Sequence, residues 1–464
     1  MKIALSASRR SFSEGAFGAL FALYAVASMT WAFKGDRTLL AFEFIYKLLF
    51  PLLLLLLFRK VVPPTKAQLL LALYIALVVY MFAIAMFSEA PMDVAANTVK
   101  FLYPLIFFAA ALFILNPQNF TIRMLYAIPI LGVLGAVQTL TLAGLIYTGH
   151  APPLHILTLI GYKNFPMPTF GIFGYAWGSI ALGTPYQVYR AQSYFGEPTR
   201  MASFMEIATV ISWGLHRCER KRWQLIAAIL GCITVVACFS MTADVVAMLT
   251  FGFYFVVTRW RRTGYIAPVI ALATAGIAVA AVIAYLHAAT IFYSESTKTV
   301  NLALGHAGTE VSVRQRFLWN SLRLARDHPL GIGVIGVEKS RILRLYPGAG
   351  DVIAPLVWLT EGGVIGLIIQ LAILGFVFFR VVIPQVIAGG LARYVSLAFV
   401  ICALHHCVAG DWMDTMFLFL LAAVIALDRY EFPSPNRLTV VLQSHPGNRR
   451  TPLTLRSSYV RNNR

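Results

Sequence analysis

Residues 356–379 read LVWLTEGGVIGLIIQLAILGFVFF, an apolar run long enough to cross a bilayer and interrupted by one charge, Glu361. About 20 such residues in helical rise match the hydrocarbon thickness of a membrane. Comparable runs lie at roughly 16–33, 39–58, 67–87, 98–115, 124–146, 200–216, 224–240, 243–258, 265–286, 391–409 and 412–428. The pattern predicts an all-α integral membrane protein of about twelve transmembrane helices. Composition agrees: 59% of the 464 residues are hydrophobic and only 12% charged, with a mean hydropathy of +0.75, which excludes a soluble globular chain of this length.

The first run lacks a small-residue cleavage site, and a charged connection, KGDR at 34–37, separates it from the next apolar stretch. It therefore reads as an anchor and not a cleaved signal. The cysteines, Cys218, Cys232, Cys238, Cys402 and Cys407, avoid the long connections and read as small core residues, not disulfides.

The net charge of +19 does not point to nucleic acid, because much of it lies in short connections and a basic tail. With both termini in the cytoplasm, Arg59, Lys60, Arg123, the run HRCERKR at 216–222, residues 259–262, Arg393 and the tail all fall inside, as positive charge does in multi-pass proteins. The membrane domain then spans 1–430, and the polar tail 431–464 is predicted to be disordered. Two long connections, about 147–199 and 287–354, face outward. The first is rich in Gly, Pro and aromatic residues and reads as a packed cap. The second carries an amphipathic helix, Val313 to Asp327, with Phe317, Leu318, Leu322 and Ala325 on one face, stopped by His328 and Pro329.

Two stretches carry candidate chemistry. In YRAQSYFGEPTR, residues 189–200, Arg190, Glu197 and Arg200 cluster where Pro198 opens a helix, and a helix start beside arginine suits an anion. In VRQRFLWNSLRLARDHPLGIG, residues 313–333, Arg316, Asn320 and Arg323 share a helical face and Arg314 stands at its start. Planar guanidinium forks suit a pyrophosphate; a solvated face over lipid headgroups is the plainer reading. The run GIGVIG at 331–336 matches a dinucleotide fingerprint in letters only, since no strand precedes it, and reads as a turn.

Within the membrane, Glu43 and Lys47 are one turn apart and read as mutually neutralising. Glu206 and Asp244 fall in the outward halves of their helices. Cys402, His405, His406 and Cys407 point in different directions round a helix, which disfavours a metal cluster and leaves His405 or His406 to meet a substrate.

Three stretches together resemble the bacterial O-antigen polymerase and O-antigen ligase superfamily: Arg190 to Arg200, Arg316 to Gly333, and LTEGGVIG at 359–366. The resemblance implies a helical membrane glycosyltransferase (GT-C-like) bundle in the bacterial inner membrane. It also implies a metal-independent, cofactor-free transfer on the periplasmic side, with a polyprenyl-pyrophosphate-linked glycan as substrate and a chain-length regulator as a partner. Arg190, Arg200, Arg314, Arg316 and Arg323 would bind pyrophosphate. Glu197 first and His328 second would attend the acceptor hydroxyl. Ligases of the superfamily carry a histidine before the Glu-Gly-X-X-Gly segment, whereas residues 347–355 here read PGAGDVIAP, which favours the polymerase. Ligase activity and transport of an anionic lipid or solute stand as alternatives.

Overall fold

The computed structural model describes residues 65–88, 91–99, 102–114, 122, 124–150, 176–179, 187–190, 198–238, 240–263, 310–334, 345–347, 349, 354–409 and 415–428. The spans expected at 16–33, 39–58 and 265–286 lie outside them, as do most of both long connections. The chain divides into units Met1–Asp428 and Arg429–Arg464, and the tail expected at 431–464 is likewise outside the described residues.

The described residues are helical except for one short antiparallel ladder. In chain order the helices are α1 (Thr65–Ala85), α2 (Pro91–Val99), α3 (Leu102–Ile114) and α4 (Ala127–Tyr147). Strands β1 (Ala176–Ser179) and β2 (Gln187–Arg190) follow, with Ala176 opposite Arg190. Then come α5 (Pro198–Glu219), α6 (Arg222–Ala237), α7 (Met241–Thr263), α8 (Glu310–Asp327) and α9 (Ala354–Val377). A π-turn, Phe378–Val382, joins α9 to α10 (Ile383–Ala388), and α11 (Gly390–Ala409) and α12 (Thr415–Asp428) complete the order. Among the described residues, five helical stretches are long and apolar enough to cross a membrane: Thr65–Ala85, Ala127–Leu145, Thr242–Arg259, Ala354–Ala388 and Gly390–Cys407. The span read at 98–115 contains α3, Leu102–Ile114, and the short helix α2, Pro91–Val99, precedes it. Pro104 sits in the first turn of α3, where a proline's missing N–H leaves no helical bond unmade.

The apolar helices face two ways. Along α1, Leu70, Tyr74, Leu77 and Met81 are buried at helical spacing, while Leu69, Ile75 and Val79 on the opposite side are exposed. Apolar residues on the outer surface suit a helix that meets protein on one side and lipid on the other. The exception is α5. It carries Arg200, Glu206, His216 and Arg217, is not among the five spans, and is surrounded by α4, α6, α7 and α11. Small residues admit these neighbours: Gly132 of α4 meets Ala208, Gly231 of α6 meets Thr209, and Gly214 meets Tyr394 of α11. A helix enclosed by protein has no need to be apolar all round.

The two ends of the bundle are built differently. At one, Lys66 at the start of α1 pairs with Asp428 at the end of α12 at 2.5 Å and donates to the Arg380 carbonyl at 3.2 Å. At the other, α8 and the turn after it lie against the last turns of α1, against α2 and against the start of α9. Ala85, Val94, Leu324, Ile332 and Ala349 form a small apolar cluster there, separate from the main core. We call this the capped end.

The cap is fastened by backbone. The Ile332 N–H donates to the Thr360 carbonyl at 3.0 Å, Gly333 N–H to the Glu361 carbonyl at 2.8 Å, and Val364 N–H to the Pro329 carbonyl at 2.9 Å. The Tyr80 hydroxyl of α1 adds a bond to the Leu330 carbonyl at 3.0 Å. Gly331 (φ 87°) and Gly363 (φ 63°) make this contact possible, since a Cβ on either would strike the backbone of the other segment. At Gly363, α9 leaves helical geometry, with ψ −166°, and the freed backbone groups of its first turns bond to the incoming turn.

Gly331→Ala and Gly363→Ala are each expected to cost at least about 2 kcal/mol, because both the left-handed backbone and the close approach forbid a Cβ. Gly375→Ala, also in α9 but with nothing near its added Cβ, is expected to be neutral or stabilising by up to about 1 kcal/mol. Unfolding midpoints in detergent check both.

Candidate functional site

The arginine-bearing helix begins one turn earlier than the sequence suggests, at Glu310, and ends at Asp327 as expected. Its packed face is made by Ser321, Leu324 and Ala325, buried, with Phe317 and Leu318 half-buried beside them. Leu322, expected on that face, is 39% exposed and stands with exposed Trp319 and Arg323 on the outer side. The face turned because Ser321 is tolerated at its centre: its hydroxyl bonds back to the Phe317 carbonyl at 2.8 Å, so a polar side chain is satisfied without water.

Two side chains tie α8 to residues 345–349. Asn320, expected to share a ligand-facing surface with Arg316 and Arg323, donates to the Pro347 carbonyl at 2.9 Å. The Tyr346 hydroxyl donates to Asp327 Oδ2 at 2.5 Å, and Arg326 Nε donates to Oδ1 at 3.0 Å. His328 follows directly, half-buried. Its N–H bonds to the Leu324 carbonyl and its own carbonyl accepts from Gly331 N–H, so the fastened turn fixes its position.

Of the other expected site residues, Arg200 is half-buried in the first turn of α5. Arg190 is the last residue of β2, paired in register with Ala176, and its side chain lies outside what is described. The same holds for the side chains of Arg314 and Arg316 on α8, and Glu197 lies wholly outside the described residues. Arg323 is exposed. The structure thus places Arg323 and His328 on the cap and Arg200 on the central helix. Arg200 and Arg323 are the two of the five arginines whose side chains fall among the described residues.

A constellation below the cap is more sharply defined. His405 Nε2 of α11 lies 2.5 Å from Glu206 Oε2 of α5, and the two side chains are only 8% and 6% exposed. His406 is also buried, stacked on Phe417 of α12 with ring centroids 4.8 Å apart and flanked by Trp358 of α9 at 5.9 Å. Asp244 of α7 is close enough to act on Glu206 through its charge. Five helices, α5, α7, α9, α11 and α12, therefore bring ionisable or aromatic groups together in the half of the bundle nearest the cap. Each of Glu206, Asp244, His405 and His406 stood out in the sequence as an ionisable residue inside an apolar run. Their pairing did not, because Glu206 and His405 are 199 positions apart. Among the described residues no three His, Cys, Asp or Glu side chains gather as a metal-binding group.

No protein-family model matches the chain, and neither does any curated protein.

The bonds from Tyr346, and then from Arg326, hold the Asp327 carboxyl below its usual range, while the bond to Asp327 holds the Tyr346 hydroxyl above its own. The carboxyl side of this contact therefore stabilises in full above the unfolded carboxylate value of about 3.9 and is lost as pH falls through the lower folded value. The tyrosine side is present below about pH 10 and is lost as pH rises through the higher folded value. Hydrogen exchange at the Ala349 amide, which donates to the Tyr346 carbonyl at 3.0 Å, corrected for intrinsic rate, should show protection over that window in the wild type and little at any pH in Tyr346→Phe.

Proposed function

We propose that this chain polymerises polyprenyl-pyrophosphate-linked oligosaccharide repeat units into a surface or exported polysaccharide. It would act in the bacterial inner membrane as a bundle of about twelve helices of the GT-C-like kind, with the capped end facing the periplasm and both termini in the cytoplasm. One observation carries the reading. Two of the stretches that resemble the polymerase and ligase superfamily, 316–333 and 359–366, are bound to each other through Ile332, Gly333 and Val364. Separate in the sequence, they become one structural unit at the end of an apolar bundle.

In this reading a growing chain lies with its lipid in the outer leaflet and its pyrophosphate among Arg190, Arg200, Arg314, Arg316 and Arg323. An acceptor hydroxyl on a new repeat unit attacks the anomeric carbon, forming the glycosidic C–O bond. The bond from that carbon to the phosphate oxygen breaks, and its electron pair leaves with the lipid pyrophosphate. The hydroxyl proton passes to Glu197, or to His328, whose place is set by the fastened turn. Guanidiniums aimed at the leaving group help where charge develops. Glycans carried on lipid pyrophosphate and a chain-length regulator are the partners. The ligase alternative differs only in acceptor, and the absence of a histidine from residues 347–355 favours polymerisation.

The break of α9 at Gly363 favours a second reading, a transporter of an anionic lipid or solute, because interrupted helices form binding sites in such proteins. The two are separated by purified protein in detergent with a defined lipid-linked donor and no gradient across a membrane: the enzyme forms longer glycans there, and a transporter forms none.

In that assay Arg190→Lys and Arg200→Lys should each lower the rate by about 10²-fold or more at normal expression, since a lysine cannot make two parallel hydrogen bonds to a pyrophosphate. Full activity in both would remove the pyrophosphate role. For topology, reporter fusions at Arg222 and Arg262 should behave alike and opposite to fusions at Tyr175 and Gly308.

A further inference from the structure

The Glu206 and His405 contact has the features of a site and not of a simple brace. Both side chains are buried, and the oxygen left over, Glu206 Oε1, is buried with no hydrogen-bond partner among the described residues. A structural ion pair in a low-dielectric interior is stable when every lone pair is satisfied. Here one carboxylate oxygen is held by an imidazole and the other is not held.

Charge decides what the pair carries. With no dissociable proton it is a carboxylate beside a neutral imidazole, net negative; with one it is net neutral, as an ion pair or as a neutral acid beside a neutral base. A bundle in hydrocarbon favours the neutral form. The helices packed on α5 reinforce this. On α7, Asp244 adds a negative charge that acts on Glu206. On α11 the titratable neighbours are His406, Cys402 and Cys407; on α6 Cys232 is the corresponding group; and α4 carries only Tyr147, its last residue. None of these is a fixed cation. Arg200, six positions nearer the cap on the same helix, is about 9 Å up the helix axis.

We infer that Glu206 and His405 form a proton-binding site in the membrane bundle, holding one dissociable proton across the Oε2–Nε2 contact. Oε1 is the place from which a water or hydroxyl exchanges that proton. Its use rests on the function proposed above: a pyrophosphate at Arg200 meets one negative charge fewer when the site is loaded. Proton and anion therefore favour each other's binding, by roughly tenfold at most at this separation.

The test uses the full chain in lipid nanodiscs. Infrared difference spectra between about pH 4 and about pH 10 should contain a carboxyl band that is absent in Glu206→Gln and whose midpoint moves in His405→Gln. Should those variants fold poorly, wild-type protein labelled with 15N-histidine reads the same proton from the other side: one histidine's ring nitrogens should titrate together with the carboxyl band. A Glu206 band whose midpoint ignores His405→Gln, or no histidine titrating with any carboxyl, overturns the site. With farnesyl pyrophosphate as probe, affinity should fall up to about tenfold as the site empties in the wild type and stay flat in Glu206→Gln. No probe binding at any pH, with the infrared signal intact, would remove the pyrophosphate reading and leave the proton site standing.

Discussion

Three backbone hydrogen bonds between residues 329–333 and 360–364 organise the capped end, and their strength lies in what surrounds them. Amide groups freed where a helix breaks cannot remain unpaired near a bilayer. The break of α9 at Gly363 and the turn after α8 therefore need each other. Side chains contribute around this joint: Tyr80 bonds to the Leu330 carbonyl, and Val94 packs where Gly333 has no side chain. Leu324 and Ile332 then close the small cluster over Ala85 and Val94.

Beneath the cap, the central helix α5 reconciles two demands that conflict in a membrane. It must carry ionisable groups, Arg200 and Glu206, and it must sit in a bundle whose other helices meet lipid. Enclosure by α4, α6, α7 and α11 resolves the conflict, and small residues at positions 132, 208, 214 and 231 let the backbones approach. Glu206 then finds its partner on α11. At the opposite end, Lys66, Asp428 and the carbonyl of Arg380 close the bundle with charge where water can reach it.

Local chemistry was legible in the sequence wherever one residue decides the backbone. His328 and Pro329 marked the end of α8, and apolar length marked the helices at Thr65–Ala85, Ala127–Tyr147 and Gly390–Ala409. Hydropathy marked α3 as well, and Pro104 suits its first turn. Leu322 is exposed because helical periodicity gives a stripe's width but not its centre, and Ser321 hides its hydroxyl in its own helix. The partnership of Glu206 with His405, and of Gly331 with Gly363, was not legible, since no periodicity reaches across the bundle. The arginines lie between these cases: residue type suggested an anion, and only Arg200 and Arg323 have described side chains to set against that suggestion.

The fastening of Gly331 to Gly363 also has a consequence for how the chain is made. Gly331 leaves the ribosome 32 residues ahead of Gly363, while Tyr80 and Val94, the other surfaces its turn meets, have long been in place. The turn must therefore wait beside α1 and α2 until α9 is threaded into the bilayer and breaks at its glycine. Assembly of this end is thus ordered by synthesis itself: the cap cannot close on a nascent chain that stops short of α9.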